Sequence, residues 1–282
     1  AAARVFSGWN LARPTRNGAL YYQFNYVANQ HDTNAKDFSF PIYANGSTRI
    51  ETRAAASGMQ DGLDLIAALA IHPETAKRMA RRLWAWFVSE TAAAPDDFVN
   101  TISSVYLQNN TEMKPVIRAV LLSRQFLDAA SRYQRYAWPV EFVVRSLKET
   151  GYLGFSVNDA LTPLVNMGQQ LYEPPDVNGW ELGTGWFSTG GMLARMNFAA
   201  QLATNQRFTL REAARPSRSS PDAMVDFAIG ALSLQPLDPE VREALLTYVN
   251  LGGAWTGSDA QLLNKSGGLF HLLMGAGEYQ FV

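Results

Sequence analysis

From residue 61 onward, apolar positions recur every three or four residues, the period of helices with one buried face. Asp61 stands at the head of a stripe of Leu63, Ile66, Ala67, Leu69 and Ala70, and is expected to cap that helix while the stripe is buried. The helix is expected to stop at His72-Pro73, where Pro73 and Glu74 suit the first turn of the next one. Asp96-Asp97 heads a stripe of Phe98, Ile102 and Val105. Thr111 and Glu112 precede a helix running from Val116 to Phe126. Pro139 and Glu141 open a helix through Phe142, Val143 and Leu147 that Gly151 closes. Asn158 opens another through Leu161, Leu164 and Leu171. Thr189-Gly190-Gly191 leads one carrying Met192, Met196, Ala199 and Leu202. Asp222 and Asp238-Pro239-Glu240 head two more, and a last stretch from Leu262 to Met274 is expected to break at Gly267-Gly268. The pattern predicts a mainly α fold, an irregular multi-helix array of roughly ten helices with no fixed-period repeat.

Residues 10–57 read differently. Leu20 to Val27 is rich in aromatics with partial alternation, and Phe38 to Tyr43 resembles it, but Pro41 demotes that run to an edge strand or a loop. A small β-hairpin or irregular N-terminal excursion is expected here, with a turn at Asn45-Gly46. Residues 1–8 read as the last turns of a helix stopping at Gly8. They predict that residues 1–282 are the C-terminal part of one large helical domain whose N-terminal part is missing. The polar Arg/Ser stretch 211–221 is the candidate subdomain break.

Composition narrows the function. At 47% hydrophobic and 17% charged, the 282-residue chain is globular. A net charge of −1 gives no electrostatic case for nucleic acid or an anionic membrane, and no apolar run reaches transmembrane length. The absence of cysteine excludes disulfides, thiolate nucleophiles and Cys-ligated metals. The chain has no Gly-x-Ser-x-Gly, P-loop or Gly-x-Gly-x-x-Gly, and its three histidines lack metal-ligand spacing, so neither a metal nor a cofactor is expected.

Three places could carry chemistry. His31-Asp32 with Lys36 joins an imidazole, a carboxylate and an ammonium on an irregular segment, a candidate acid–base pair or else a turn with a surface histidine. His72 precedes a helix start, where it either caps the helix or points at a bound anion. The loop from Tyr172 to Trp186 holds Glu173 and Asp176, candidate acid and base, beside Trp180 and Trp186, a candidate stacking platform. Aromatic rings with paired carboxylates suit a sugar cleft; the bland alternative is a tryptophan plug over the helices. Ser188-Thr189-Gly190-Gly191 is an anion-receptive helix start, with Arg195 about one turn inside.

The ordered motifs Phe6-Ser7-Gly8-Trp9, His31-Asp32-x-x-x-Lys36, His72-Pro73-x-Thr75-Ala76, Leu83-Trp84 with Phe87, Pro139-x-Glu141, Gly168-Gln169, Pro174-Pro175-x-Val177-x-Gly179-Trp180, Trp186 and Arg195 resemble the bacterial family of domain of unknown function 1800. The likeness spans residues 4–205 and continues to Glu278-Tyr279-Gln280. It implies an exported, periplasmic or secreted protein, longer at its N-terminus and accompanied by a sulfatase-like partner protein. It carries no established activity or catalytic residue. The expectation is binding or processing of an extracellular polymer such as a glycan, whether or not by an enzyme. The alternative is a non-catalytic assembly protein acting with the sulfatase-like companion.

Overall fold

A computed structural model describes residues 1–152, 156–233 and 237–282. The fold is mainly α, as the periodicity predicts, with strands only in short antiparallel pairs among the described residues. Two compact units divide it: Ala1–Phe87 with Ala93–Leu127, and Val88–Ala92 with Asp128–Val282. Residues 211–221 lie inside the second.

In the first unit, α1 (Ala2–Val5) is followed by Gly8 at φ +84°. A Cβ there would sit 2.8 Å from the carbonyl oxygen of Val27, so the turn demands glycine on two counts. The chain then forms β1 (Trp9–Ala12), which returns as β4 (Gln23–Tyr26) with Trp9 opposite Tyr26. Between them, β2 (Thr15–Arg16) and β3 (Ala19–Leu20) close on Asn17-Gly18, both at positive φ, the signature of a tight hairpin turn. The pair β5 (Lys36–Asp37) and β6 (Arg49–Ile50) completes the excursion, while the run around Pro41 is loop. The helices are α2 (Met59–Ala70), α3 (Pro73–Phe87), α4 (Asp96–Gln108), α5 (Met113–Leu121) and α6 (Arg124–Leu127). The stretch expected as one helix to Phe126 is therefore two.

Helix α2 packs by the face opposite to the expected one. Leu63, Ile66 and Leu69 are exposed, whereas Asp61, Gly62, Leu65 and Ala68 are buried. Asp61 is no cap; it lies inside the helix and points inward. Buried cations draw that carboxylate into the interior and rotate the helix with it. Leu65 and Ala68 join Val5, Ile42 and Ile50 in a small core.

The second unit is built on α7 (Pro139–Glu149), α8 (Val157–Asn166), α9 (Thr189–Ala214), α10 (Pro221–Ala231), α11 (Pro239–Asn250) and α12 (Asp259–Gly275). Its core runs through Phe142, Leu147, Phe198, Leu202, Phe270 and Leu273. The long α9 and α12 lie antiparallel: a Cβ on Gly267 would meet the carbonyl of Ala203, and one on Gly275 the side chain of Met196. The expected break at Gly267-Gly268 does not occur. Those glycines admit close neighbours, and a Cβ on Gly268 would collide with the Tyr248 hydroxyl at 1.7 Å. Helix α9 also continues to Ala214, past the polar start of 211–221, because Glu212 pairs with both Arg211 and Arg215 and holds that turn helical.

Candidate functional site

In the first unit, the carboxylate of Asp61 is the hub of a buried ion cluster. Its Oδ2 accepts from Lys36 Nζ at 2.5 Å and lies 3.2 Å from His31 Nε2. The side chains of all three are 0% exposed. Lys36 Nζ also donates to the carbonyl of Asp32 at 2.5 Å. His31 Nδ1 faces the carbonyl of Ser7 at 2.8 Å, and Lys36 Nζ lies 3.5 Å from Nε2. Arg53 Nε stands 3.1 Å from Asp61 Oδ1; the angle is not that of a hydrogen bond, and the attraction there is Coulombic. The same guanidinium reaches Asp64 at 2.8 Å, and Tyr43 donates to Asp64 at 2.7 Å, burial and that carboxylate pushing the phenol up to about 12.

The structure thus joins two of the sequence candidates, His31 and Lys36, and adds Asp61 and Arg53, which motif reading missed. The signal was an aspartate on the buried face of α2. Asp32 turns away from this cluster. It accepts from Arg4 Nε at 2.6 Å and from the Asn34 amide at 2.9 Å, which holds its carboxyl well below the usual range. His72 Nδ1 accepts from the amide of Glu74 at 3.1 Å, the capping arrangement. With no solvent-facing side-chain atom on His31, Lys36 or Asp61, the cluster can fix the hairpin to α2 but presents nothing to a substrate.

The remaining candidates lie in the second unit. Trp186 is buried at 4% exposure against Trp138, with ring centroids 5.8 Å apart. Trp180 is half-buried, and neither indole N–H has a hydrogen-bond partner among the described residues. Glu173 and Asp176 are exposed. Glu173 accepts from its neighbour Gln170, and Asp176 accepts from the Asn178 amide at 2.7 Å in a turn closed by Gly179 at φ +96°. Arg195 is 1% exposed and has no carboxylate partner among the described residues. It donates to the carbonyl of Ala137 at 2.7 Å and to Gln280 Oε1 at 3.1 Å, and stacks on Phe142 and Phe187. Burial lowers its pKa to about 10. The start of α9 is occupied by its own cap, Ser188 Oγ accepting from the Gly191 amide at 3.2 Å.

A different feature of this unit has the form of a ligand site. Helices α8 and α9 border a groove of about 650 Å³, within the size range of small-molecule sites. Asn158, Thr162 and Asn166 line it from α8, and Asn197, Gln201 and Asn205 from α9. Each trio is spaced by four residues, which stacks it on one helix face. All six are exposed, and none makes a side-chain hydrogen bond to another described residue. The buried Leu147, Phe198 and Leu202 supply an apolar floor. Among the described residues Asp159 is the one charged group in the lining, and its Oδ2 accepts from the Ser156 amide at 2.8 Å. In the sequence such trios look like ordinary solvated faces; only the pairing of α8 with α9 turns them inward.

The model of the family described as protein of unknown function (DUF1800) matches residues 1–281. The chain belongs to the DUF1800 family. No curated protein and no solved structure matches it. For this DUF1800 member, the described residues hold no group of three or more His, Cys, Asp or Glu placed to bind a metal. No described helix is long and apolar enough to cross a membrane.

Proposed function

We propose that this DUF1800 protein binds a glycan in the α8–α9 groove and does not cleave it. The two facing trios of amide and hydroxyl side chains carry this reading. Carboxamides both donate and accept, as sugar hydroxyls do, and these are held on rigid helices with no internal partner to give up. Phe198 and Leu202 beneath them offer an apolar face to the C–H side of a pyranose ring. Glycoside hydrolysis needs two carboxylates about 5–9.5 Å apart across the bond. Among the described residues the groove lining has one, Asp159, already engaged at the start of α8. Action outside the cytoplasm is part of the reading and rests on the family resemblance. Calorimetric titration of the protein with a panel of soluble polysaccharides tests it, beside a reducing-end assay. Saturable binding that Asn197→Ala with Gln201→Ala removes, with no new reducing ends, is the expected result. Binding untouched by those substitutions, or release of reducing ends, defeats it.

A second reading, a non-catalytic assembly protein docking on a sulfatase-like companion, is favoured by the hairpin of the first unit. Leu11, Leu20, Tyr22 and Phe24 stand exposed there at 70%, 73%, 65% and 46%, an apolar surface of the kind that marks interaction sites. Co-purification lost on Leu20→Ser with Tyr22→Ser would support it. Unchanged co-purification would count against it.

A further inference from the structure

Resting on the glycan reading, we infer that the groove selects a linear, uncharged oligosaccharide of about three pyranose rings lying along α9. Three observations lead there. First, the polar side chains are periodic along both walls. Asn197, Gln201 and Asn205 follow one another at four-residue intervals, as do Asn158, Thr162 and Asn166 opposite. Each step advances about 6 Å along the helix, close to one turn and to the length of one pyranose ring. One polar position of α9 therefore serves one sugar, and that wall ends after three.

Second, the groove is lined from both helices. A Cβ on Gly191, at the start of α9, would lie 3.9 Å from the carbonyl of Met167, which follows the last turn of α8. The end of α8 thus approaches the start of α9, and residues of both helices line the one groove. An unbranched chain fits between two such walls, whereas a branch pointing into either would meet its side chains.

Third, among the described residues the lining contains no cation and one carboxylate, Asp159. A uronate or sulfate-bearing chain would bring anions beside that carboxylate with nothing to pair them. The groove excludes acidic polymers by charge and admits neutral ones.

Calorimetry with two matched ladders tests this, gluco-oligosaccharides and oligogalacturonides of one to six rings. Affinity for the neutral series should rise several-fold per ring to the trimer and then level off. The acidic series should bind at least tenfold more weakly at every length. Gln201→Ala should weaken the trimer about fivefold to tenfold, the loss expected for one or two hydrogen bonds. A neutral ladder flat from the monomer upward, or tighter binding of the acidic one, overturns the inference while the glycan reading stands. No saccharide bound at any length, or an extended Gly/Ser peptide bound more tightly than every sugar, defeats both.

Discussion

Lys36 buries its ammonium against the carboxylate of Asp61 at 2.5 Å, joining strand β5 to helix α2 with no solvent on either side chain. Such a pair contributes specificity more than net stability, because each ion was stripped of water to form it. Removing one partner is another matter. Asp61→Ala would strand Lys36 and His31 together in a buried site, and is expected to cost about 3–5 kcal/mol. Lys36→Met with Asp61→Leu should cost clearly less than the two single changes summed. Urea unfolding followed by circular dichroism across the four variants gives the coupling; strict additivity would mean that the contact has no energetic role.

Gly58 is moulded to the same cluster. A Cβ there would lie 2.1 Å from His31 Cδ2 and 2.4 Å from the Tyr26 hydroxyl, which donates to the carbonyl of Ala55. Gly58→Ala must push the imidazole or the phenol away, an overpacking cost of about 1–3 kcal/mol. Gly230→Ala is the matched control. That glycine lies in α10 with open space about its Cβ position, and the change should stabilise by about 0.4–1 kcal/mol. Thermal melts with opposite signs for the two substitutions are expected, and a neutral Gly58→Ala would show that the ring is not held.

Much of this architecture was legible in local signals. Pro139 with Glu141 and Asp238-Pro239-Glu240 start helices where start chemistry places them, and residues 10–57 form the irregular strand-bearing excursion. The buried face of α2 was not legible, because Asp61 goes inside only when Lys36, His31 and Arg53 are there to receive it. The continuity of α12 was hidden for a similar reason: Gly267 and Gly268 read as a break until Ala203 and Tyr248 are seen pressed against them. The α8–α9 groove was hidden most completely, since Asn, Gln and Thr on one helix are solvent-facing by default and gain meaning only from the second helix.

Two carboxylates, the half-buried Asp32 and the exposed Glu212, set an acid limit. Asp32 is held well below its ordinary value by Arg4, and Glu212 is lowered to about 2 by Arg215 and Arg211. Both folded values lie below the unfolded ones, so each contributes stability above the unfolded value that is lost as pH falls through the folded one. For Glu212 the window runs from about 4.5 down to about 2. Glu212→Gln and Asp32→Asn should therefore flatten the fall of melting temperature through that acid range and lower the melting temperature near neutrality. Curves parallel to the unsubstituted protein at every pH would show that these pairs are not formed in solution.

Gln280 offers the sharpest test of how the second unit tolerates Arg195. Its Oε1 accepts from the buried guanidinium at 3.1 Å, while its Nε2 donates to the carbonyls of Met274 and Ala276 at 2.9 and 3.1 Å, at the end of α12. The amide thereby links a buried cation to the negative end of a helix, which is how the charge is accommodated without a carboxylate. Gln280→Leu would orphan one guanidinium N–H and two carbonyls, a loss of about 1–3 kcal/mol for each group left unpaired. Gln280→Glu keeps an acceptor for Arg195 and sets a carboxylate beside two carbonyls that then lack a donor. It should recover part of the stability near neutral pH and lose it as the carboxyl is protonated. Unfolding midpoints of Gln280→Leu and Gln280→Glu at neutral and acid pH decide the matter. If Gln280→Leu matches the unsubstituted protein, the guanidinium is solvated and the link is idle.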